Sequence, residues 1–485
     1  MTSYHERLSA QDAVFLEMEN ANTPLHVGAT AIFDVSPIRR PDGTMPVDSI
    51  RAVIASRMDM LPHYRMRIMW TPISGQPVWV DDDCFDVRHH LQLVQLPPPG
   101  DARALDEVVT EFLSHKLDRG RPLWEILIVD GLENGRVAAV LKAHHALIDG
   151  VSGIDMMMLM LSLTPSSLVP DPPDWEPRPA PTPRELLESD LRHRAGLSLG
   201  WLGAVRAGVR APRALFASAR DRVLGVAESG RALFRAGVDT PLNATLGPNR
   251  SLYTLRVELD VIKGLKNFFG GTLNDVAVAI VAGALRRFLS DRGMSVDDIE
   301  LRALIPVSTR SDVERGTLGN KLSLLVAPLA VGEADVRARI ETTRNTMEGL
   351  KASKQALGAE VLTALAELIV PSVMTGAVEF LLSRNSTNLM ITNIRGPSDP
   401  FYCLDAPMLE VYPAPPLWPG QTLAIGLLSY GGFLHWGLVV DPDRLPDADQ
   451  LVDAVRTEIA ELEKFAHQGV SPPRRRRKRG AGDRA

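Results

Sequence analysis

Strand-like and helix-like stretches alternate along both halves of this sequence, which predicts an α/β protein of two lobes, each a mixed sheet with helices packed on it. Seven prolines between residues 170 and 183 divide the halves with stiff, extended chain. A chain of 485 residues, 45 % of them hydrophobic, can build a substantial core in each half.

The elements follow in order. Residues 8–18 have helical spacing at Ala13, Phe15 and Leu16, with Ser9 placed as an N-cap. Residues 26–35 read as a strand, 48–58 as a helix, and 76–81 and 87–94 as strands; His89 and His90 fall in the last as polar residues at a strand edge. An amphipathic helix over 106–117 carries Val108, Phe112 and Leu117. Trp124 introduces a strand at 125–129 that pairs with 137–142 across Glu133-Asn134-Gly135. The Met-rich apolar run to residue 163 completes a first lobe of 1–169.

A connector spans 170–249. Within it, residues 191–237 hold nine Arg against Asp221 and Glu228, interleaved with apolar residues at helical spacing and broken at Pro212. An interfacial amphipathic helix pair and a solvated helix between the lobes both fit. The second lobe, 250–470, opens on a strand at 250–259. Thr272 then caps a helix whose first turn holds Asn274 and Asp275, which could simply cap it or could face a ligand. Strands at 301–307 and 321–329, helices at 336–350 and 359–380, and a strand at 389–394 come next. A hairpin of 422–429 and 433–440 turns at Gly431-Gly432, and a helix over 447–465 closes the lobe.

The chemistry concentrates at Lys142-Ala143-His144-His145-Ala146-Leu147-Ile148-Asp149-Gly150, between the strand 137–142 and the apolar run 151–163. Adjacent residues in extended chain point to opposite sides, so one histidine works and the other supports. A neutral imidazole can take a proton from a hydroxyl at neutral pH, and no G-x-S-x-G nucleophile setting accompanies it. A direct transfer from an activated acyl donor is the simplest chemistry. A purely structural pair is the competing account, and His89-His90, which lacks an Asp-Gly four residues on, is an internal control.

The H-H-x-x-x-D-G spacing resembles that of the bacterial wax ester synthase/acyl-CoA:diacylglycerol acyltransferases. So do Leu8-Ser9-Ala10-Gln11-Asp12-Ala13 with Pro24-Leu25-His26-Val27-Gly28, Pro122-Leu123-Trp124, Asn274-Asp275-Val276, Gly319-Asn320 and Thr392-Asn393-Ile394-Arg395-Gly396-Pro397. Thr392 and Arg395 depart from the Ser and Pro usual in the last segment. The resemblance implies a chloramphenicol acetyltransferase-like pair of lobes with a tunnel and the histidine loop between them. It also implies acyl transfer from a long-chain acyl-CoA to diacylglycerol, with His145 as the base, His144 as its support, Asp149 pairing with an arginine to brace the loop, and Gly150 letting the backbone approach the substrate. Trp124 would be a core aromatic or a wall of the tunnel, and Asn274, Asp275, Thr392 and Asn393 would supply substrate or oxyanion contacts. A long-chain alcohol as acceptor, a catalytically weak lipid-binding or scaffolding protein, and a peptide-forming condensation domain are the rivals.

Net charge is −6, yet residues 474–485 carry seven Arg/Lys against Asp483, leaving −12 on the rest. This basic end, within a tail of 471–485, reads as disordered. It suits an anionic membrane or lipid-droplet surface at about 1 kcal/mol per basic residue, or mere solubility; nucleic acid is disfavoured because the body is acidic and lacks a nucleic-acid motif. Cys84 and Cys403 give no metal or disulfide framework, and no resident cofactor is expected beyond acyl-CoA as co-substrate. The polar opening and the broken apolar run 361–382 argue for a cytoplasmic protein bound peripherally at the inner membrane or lipid bodies.

Overall fold

A computed structural model describes residues 3–148, 157, 159–172, 174–193, 195, 238, 240–308, 322–352 and 386–468. Asp149, Gly150, most of 191–237, Gly319-Asn320, the expected helix 359–380 and the basic tail lie outside the described residues.

Local signals place the first elements. A two-residue strand β1 (Glu6–Arg7) precedes helix α1 (Ala10–Met18), whose N-cap Ser9 accepts from the Asp12 N–H. Strand β2 (His26–Asp34) pairs antiparallel with β7 (Arg136–His144), which pairs antiparallel with β6 (Trp124–Asp130). The turn joining β6 to β7 needs positive φ, supplied by Asn134 (62°) and Gly135 (68°). Helices α2 (Val47–Arg57) and α4 (Ala102–Ser114) flank this lobe, and β3 (Met66–Trp70) with β4 (Pro77–Asp81) extends β1 into a small three-stranded sheet.

One expectation fails at residues 87–94. Asp86 accepts from the Arg88 N–H and caps a single helical turn, α3 (Val87–His90), and only Leu91–Gln95 continues as strand β5, parallel to β6. Nor is the proline-rich stretch a bare linker. Arg178 pairs with Asp81 at 2.8 Å, the Tyr4 N–H donates to Pro179 O, and Leu186, in a helix over 183–193, is buried against Val78 and Val80. The prolines keep the chain extended while their neighbours strap it to the first lobe.

The second lobe is built on β8 (Ser251–Glu258), α5 (Leu259–Phe269), α6 (Leu273–Ser290), β9 (Leu301–Ser308), β10 (Leu322–Leu329), α7 (Val336–Ala352), β11 (Leu389–Arg395), β14 (Leu423–Tyr430), β15 (Phe433–Val440) and α8 (Asp449–His467). Its sheet runs β10-β9-β11-β14-β15-β8, parallel about β11 and antiparallel elsewhere. Thirteen of the eighteen α6 residues are buried, and each large apolar side chain among them contributes roughly 1.5–3 kcal/mol. Core burial explains why α6 is so apolar: no single described helix is long and apolar enough to cross a membrane, and the α5–α6 pair that approaches this is bent by 97°.

Strands β12 (Tyr402–Cys403) and β13 (Ala406–Ala414) leave the second lobe and join the first sheet, giving the order β12-β13-β2-β7-β6-β5. The stretch assigned to one lobe by its place in the sequence is thus shared between both. Gly437 makes the crossing possible, because a Cβ there would sit 1.8 Å from Pro413 O. A third core cluster, with Phe15, Met18, Leu25 and Val140 on one side and Leu304, Met390, Trp418 and Val439 on the other, fills the junction.

Candidate active site

Strand β7 carries the histidines to the sheet's end, where its last pairing sets His26 of β2 opposite His144. Two residues earlier, Lys142 is fully buried. Its Nζ donates to Phe112 O and His115 O at the C-terminus of α4 and pairs with Glu125 at 3.0 Å, so the strand cannot slide. Backbone hydrogen bonds from His144 N to Leu123 O and from His145 N to Leu25 O, both 2.9 Å, anchor the point where strand becomes loop.

There the two side chains part. His144 is completely buried, and its Nδ1 accepts from the Ala146 N–H at 3.1 Å, starting a 3₁₀ turn over His145–Leu147. Burial, reinforced by the neighbouring imidazole of His145, the Arg119 guanidinium, the His26 imidazole and the Lys116 ammonium, holds its pKa well below the usual histidine value. His145 is only partly buried; its ring stacks on Phe15 of α1 with centroids 3.9 Å apart. Burial pushes it down to about 4, so the imidazole is neutral at pH 7 and free to accept a proton. Among the described residues, no serine, threonine or cysteine hydrogen-bonds to its ring.

The second lobe reaches His145 through aromatic packing. Phe15 meets the edge of Trp418, in the loop after β13, at 5.8 Å. Beside this contact, Pro24, His26, Leu113, Arg250 and Leu417 help line a half-open pocket of about 10 Å³, room for one water and no acyl chain.

The other expected residues divide. Asn393 of β11 donates to Asn274 Oδ1 at 3.3 Å, so two candidates far apart in sequence come together in partly exposed surroundings, with Thr392 adjacent. Asp275 belongs to a capping box instead: its Oδ2 accepts from Thr272 N at 2.8 Å while Thr272 Oγ1 accepts from Asp275 N. Trp124 follows the first of its two readings, a core aromatic rather than a tunnel wall. It is wholly buried, its indole N–H donates to Tyr64 O at 2.8 Å, and its ring lies on His90 at 4.5 Å, all within the first lobe's core. The partners of His144 and His145, namely Phe15, Glu19, Leu25, His26 and Arg119, escaped sequence reading; the only signals were the Leu8–Gly28 resemblance and the charged turn before Pro122.

Comparison with known proteins completes the picture. A family model described as the wax ester synthase/diacylglycerol acyltransferase catalytic domain matches residues 8–277, and the WS/DGAT C-terminal domain matches 318–463. A putative diacylglycerol O-acyltransferase of Mycobacterium tuberculosis is 32 % identical over 476 residues, covering 94 % of this chain and 90 % of that protein. A probable diacylglycerol O-acyltransferase of the same species is 32 % identical over 475 residues, 93 % and 97 % of the respective lengths. Among solved structures, a wax ester synthase/diacylglycerol acyltransferase from Marinobacter aquaeolei superposes with a TM-score of 0.64 at 25 % identity, over 95 % of this chain and all of that one. A condensation domain of the calcium-dependent antibiotic synthetase does so with 0.58 at 17 % identity, over 96 % and 97 %, a likeness of fold.

Proposed function

This chain belongs to the wax ester synthase/diacylglycerol acyltransferase family and is an acyltransferase, and on that premise we propose that it moves a long-chain acyl group from acyl-CoA to the free hydroxyl of diacylglycerol, with His145 as general base. The observation that carries the reading is the neutral, partly exposed His145 ring beside a fully buried His144.

In this mechanism His145 takes the hydroxyl proton as the oxygen attacks the thioester carbonyl. A tetrahedral oxyanion forms, the C–S bond breaks, and the imidazolium returns the proton to the departing thiolate. Such proton transfer contributes about 10²- to 10⁴-fold. With no nucleophile bonded to His145 among the described residues, one direct transfer suffices and no acyl-enzyme is needed. Asn274 and Asn393 serve as the oxyanion donors from the second lobe, a role supported by their pairing across 119 residues of sequence. Asp149 braces the loop and Gly150 admits the substrate backbone-close. The enzyme works from the cytoplasmic side, on a membrane or lipid-body surface held by the basic connector and tail; deletion of 471–485 should reduce flotation with anionic liposomes.

The deciding assay offers purified protein radiolabelled palmitoyl-CoA with diolein or hexadecanol. Triacylglycerol from diolein is expected. Wax ester alone would transfer the assignment to a fatty-alcohol acceptor, the activity named first for the Marinobacter structure, and neither product would overturn it.

A further inference from the structure

The catalytic loop stands on an ion pair that no motif marks. Glu19, the C-cap of α1, has a side chain only 1 % exposed, although it carries a carboxylate. Arg119 holds Glu19 Oε2 through Nε at 3.2 Å and Nη2 at 2.9 Å, and Nη2 also donates to Leu16 O. A buried carboxylate is tolerable only with such compensation. Its other oxygen, Oε1, faces the loop on two sides: it accepts from the Leu25 N–H at 3.4 Å, and it lies 3.7 Å from His144 Nε2, beyond hydrogen-bonding distance.

Both contacts lead to His145. The His145 N–H donates to the Leu25 carbonyl at 2.9 Å, so the residue whose N–H meets Glu19 is also the one whose carbonyl fixes the base's backbone. His144 Nδ1 accepts from the Ala146 N–H and must therefore carry its ring proton on Nε2, the nitrogen turned to Glu19. A carboxylate there favours that tautomer. The opposite tautomer would set an N–H against the Ala146 N–H and open the turn. Phe15, four residues before Glu19 on the same helix, supplies the surface on which the His145 ring lies.

We propose that Glu19, clamped by Arg119, is the positioning residue of this active site, holding His144 as the Nε2–H tautomer and the Leu25 backbone in place so that His145 is aimed at the substrate hydroxyl. The inference rests on His145 being the base. Glu19 touches no reacting atom; it acts through the loop, and a misplacement of about 1 Å at a base costs on the order of 10²-fold.

The test pairs steady-state kinetics with ¹⁵N-histidine NMR on the full chain, the His144 signals being assigned by their loss in His144→Asn. Glu19→Ala should lower kcat by about 10- to 100-fold while KM for palmitoyl-CoA stays within about twofold of the wild type, and should abolish the Nε2–H signature of His144. Wild-type kcat, or an unchanged tautomer, would each overturn the proposal. If Glu19→Ala does not fold, the isosteric Glu19→Gln decides: kcat down by about tenfold at unchanged KM supports it, and full kcat overturns it. The base assignment fails separately, through a His145→Ala enzyme that keeps its rate, whereas the tautomer of His144 is read without turnover.

Discussion

The chain contains the dipeptide His-His twice, and the two copies have opposite fates. At 89–90 the pair ends a single helical turn: His89 is exposed, while His90 is buried with Nδ1 against Trp124 O at 2.8 Å and its ring on the Trp124 indole. At 144–145 the pair ends a strand: His144 is buried against its own loop and Glu19, and His145 stays partly accessible on Phe15. The copies are neighbours in space, since Trp124 pairs with Ala143 in the sheet. In each, one ring is consumed by structure. The second ring of the first pair is exposed, and the second ring of the other is stacked at the junction of two lobes, where a proton transfer can be shielded and directed.

The comparison breaks most sharply at His145. His145→Ala should lower kcat/KM by about 10²- to 10⁴-fold with little change in melting temperature, measured by acyl transfer and calorimetry; a stability loss with full activity per folded molecule would make it a second His90. Trp124→Ala should cost about 3–5 kcal/mol of stability, seen in denaturant unfolding, and leave KM for acyl-CoA unchanged. A raised KM at unchanged stability would restore it to the substrate tunnel. His90→Ala should cost roughly 1–3 kcal/mol through the lost Trp124 O contact, with kcat retained, and His89→Ala should fall within about 0.5 kcal/mol of the wild type.

Proton linkage gives the gentlest test. His26 is pushed down to about 3, His145 and His435 to about 4, and His90 and His144 are also lowered, in every case chiefly by burial. The unfolded chain, with histidines near 6.5, binds more protons than the folded one, so these groups contribute full stability above about pH 6.5 and lose it as pH falls toward 4. Activity carried by neutral His145 should stay flat through neutrality and drop only toward pH 4; an acid limb near 6.5 in kcat/KM would mean that the ring is not shielded as described.

Much of the fold was legible because its signals are local. Ser9 caps α1, Asn134-Gly135 turn the β6–β7 hairpin, Thr272 opens α6 and Gly431-Gly432 join β14 to β15, each within a few residues of the element it ends. The family resemblance supplied the two-lobed architecture, which the structural matches support. Illegible stretches had distant partners. Residues 406–414 alternate weakly and show their nature as a strand only against β2, hundreds of residues earlier. Asp86 turned an apparent strand into a helical cap, and Trp175 and Arg178 found partners in Phe85, Arg65 and Asp81 that the surrounding prolines concealed.

By itself the sequence determined where a strand ends in paired histidines and which imidazoles are candidates for the chemistry, because alternation and turn residues act over a few bonds. Only the tertiary structure decided which histidine is free, that Trp124 is a pillar and Asp275 a cap, and that Glu19 and Arg119 stand under the loop. Burial is a property of the neighbours a residue acquires, and those of His144 and His145 come from α1, β2 and the loop after β13, none adjacent to them in the chain.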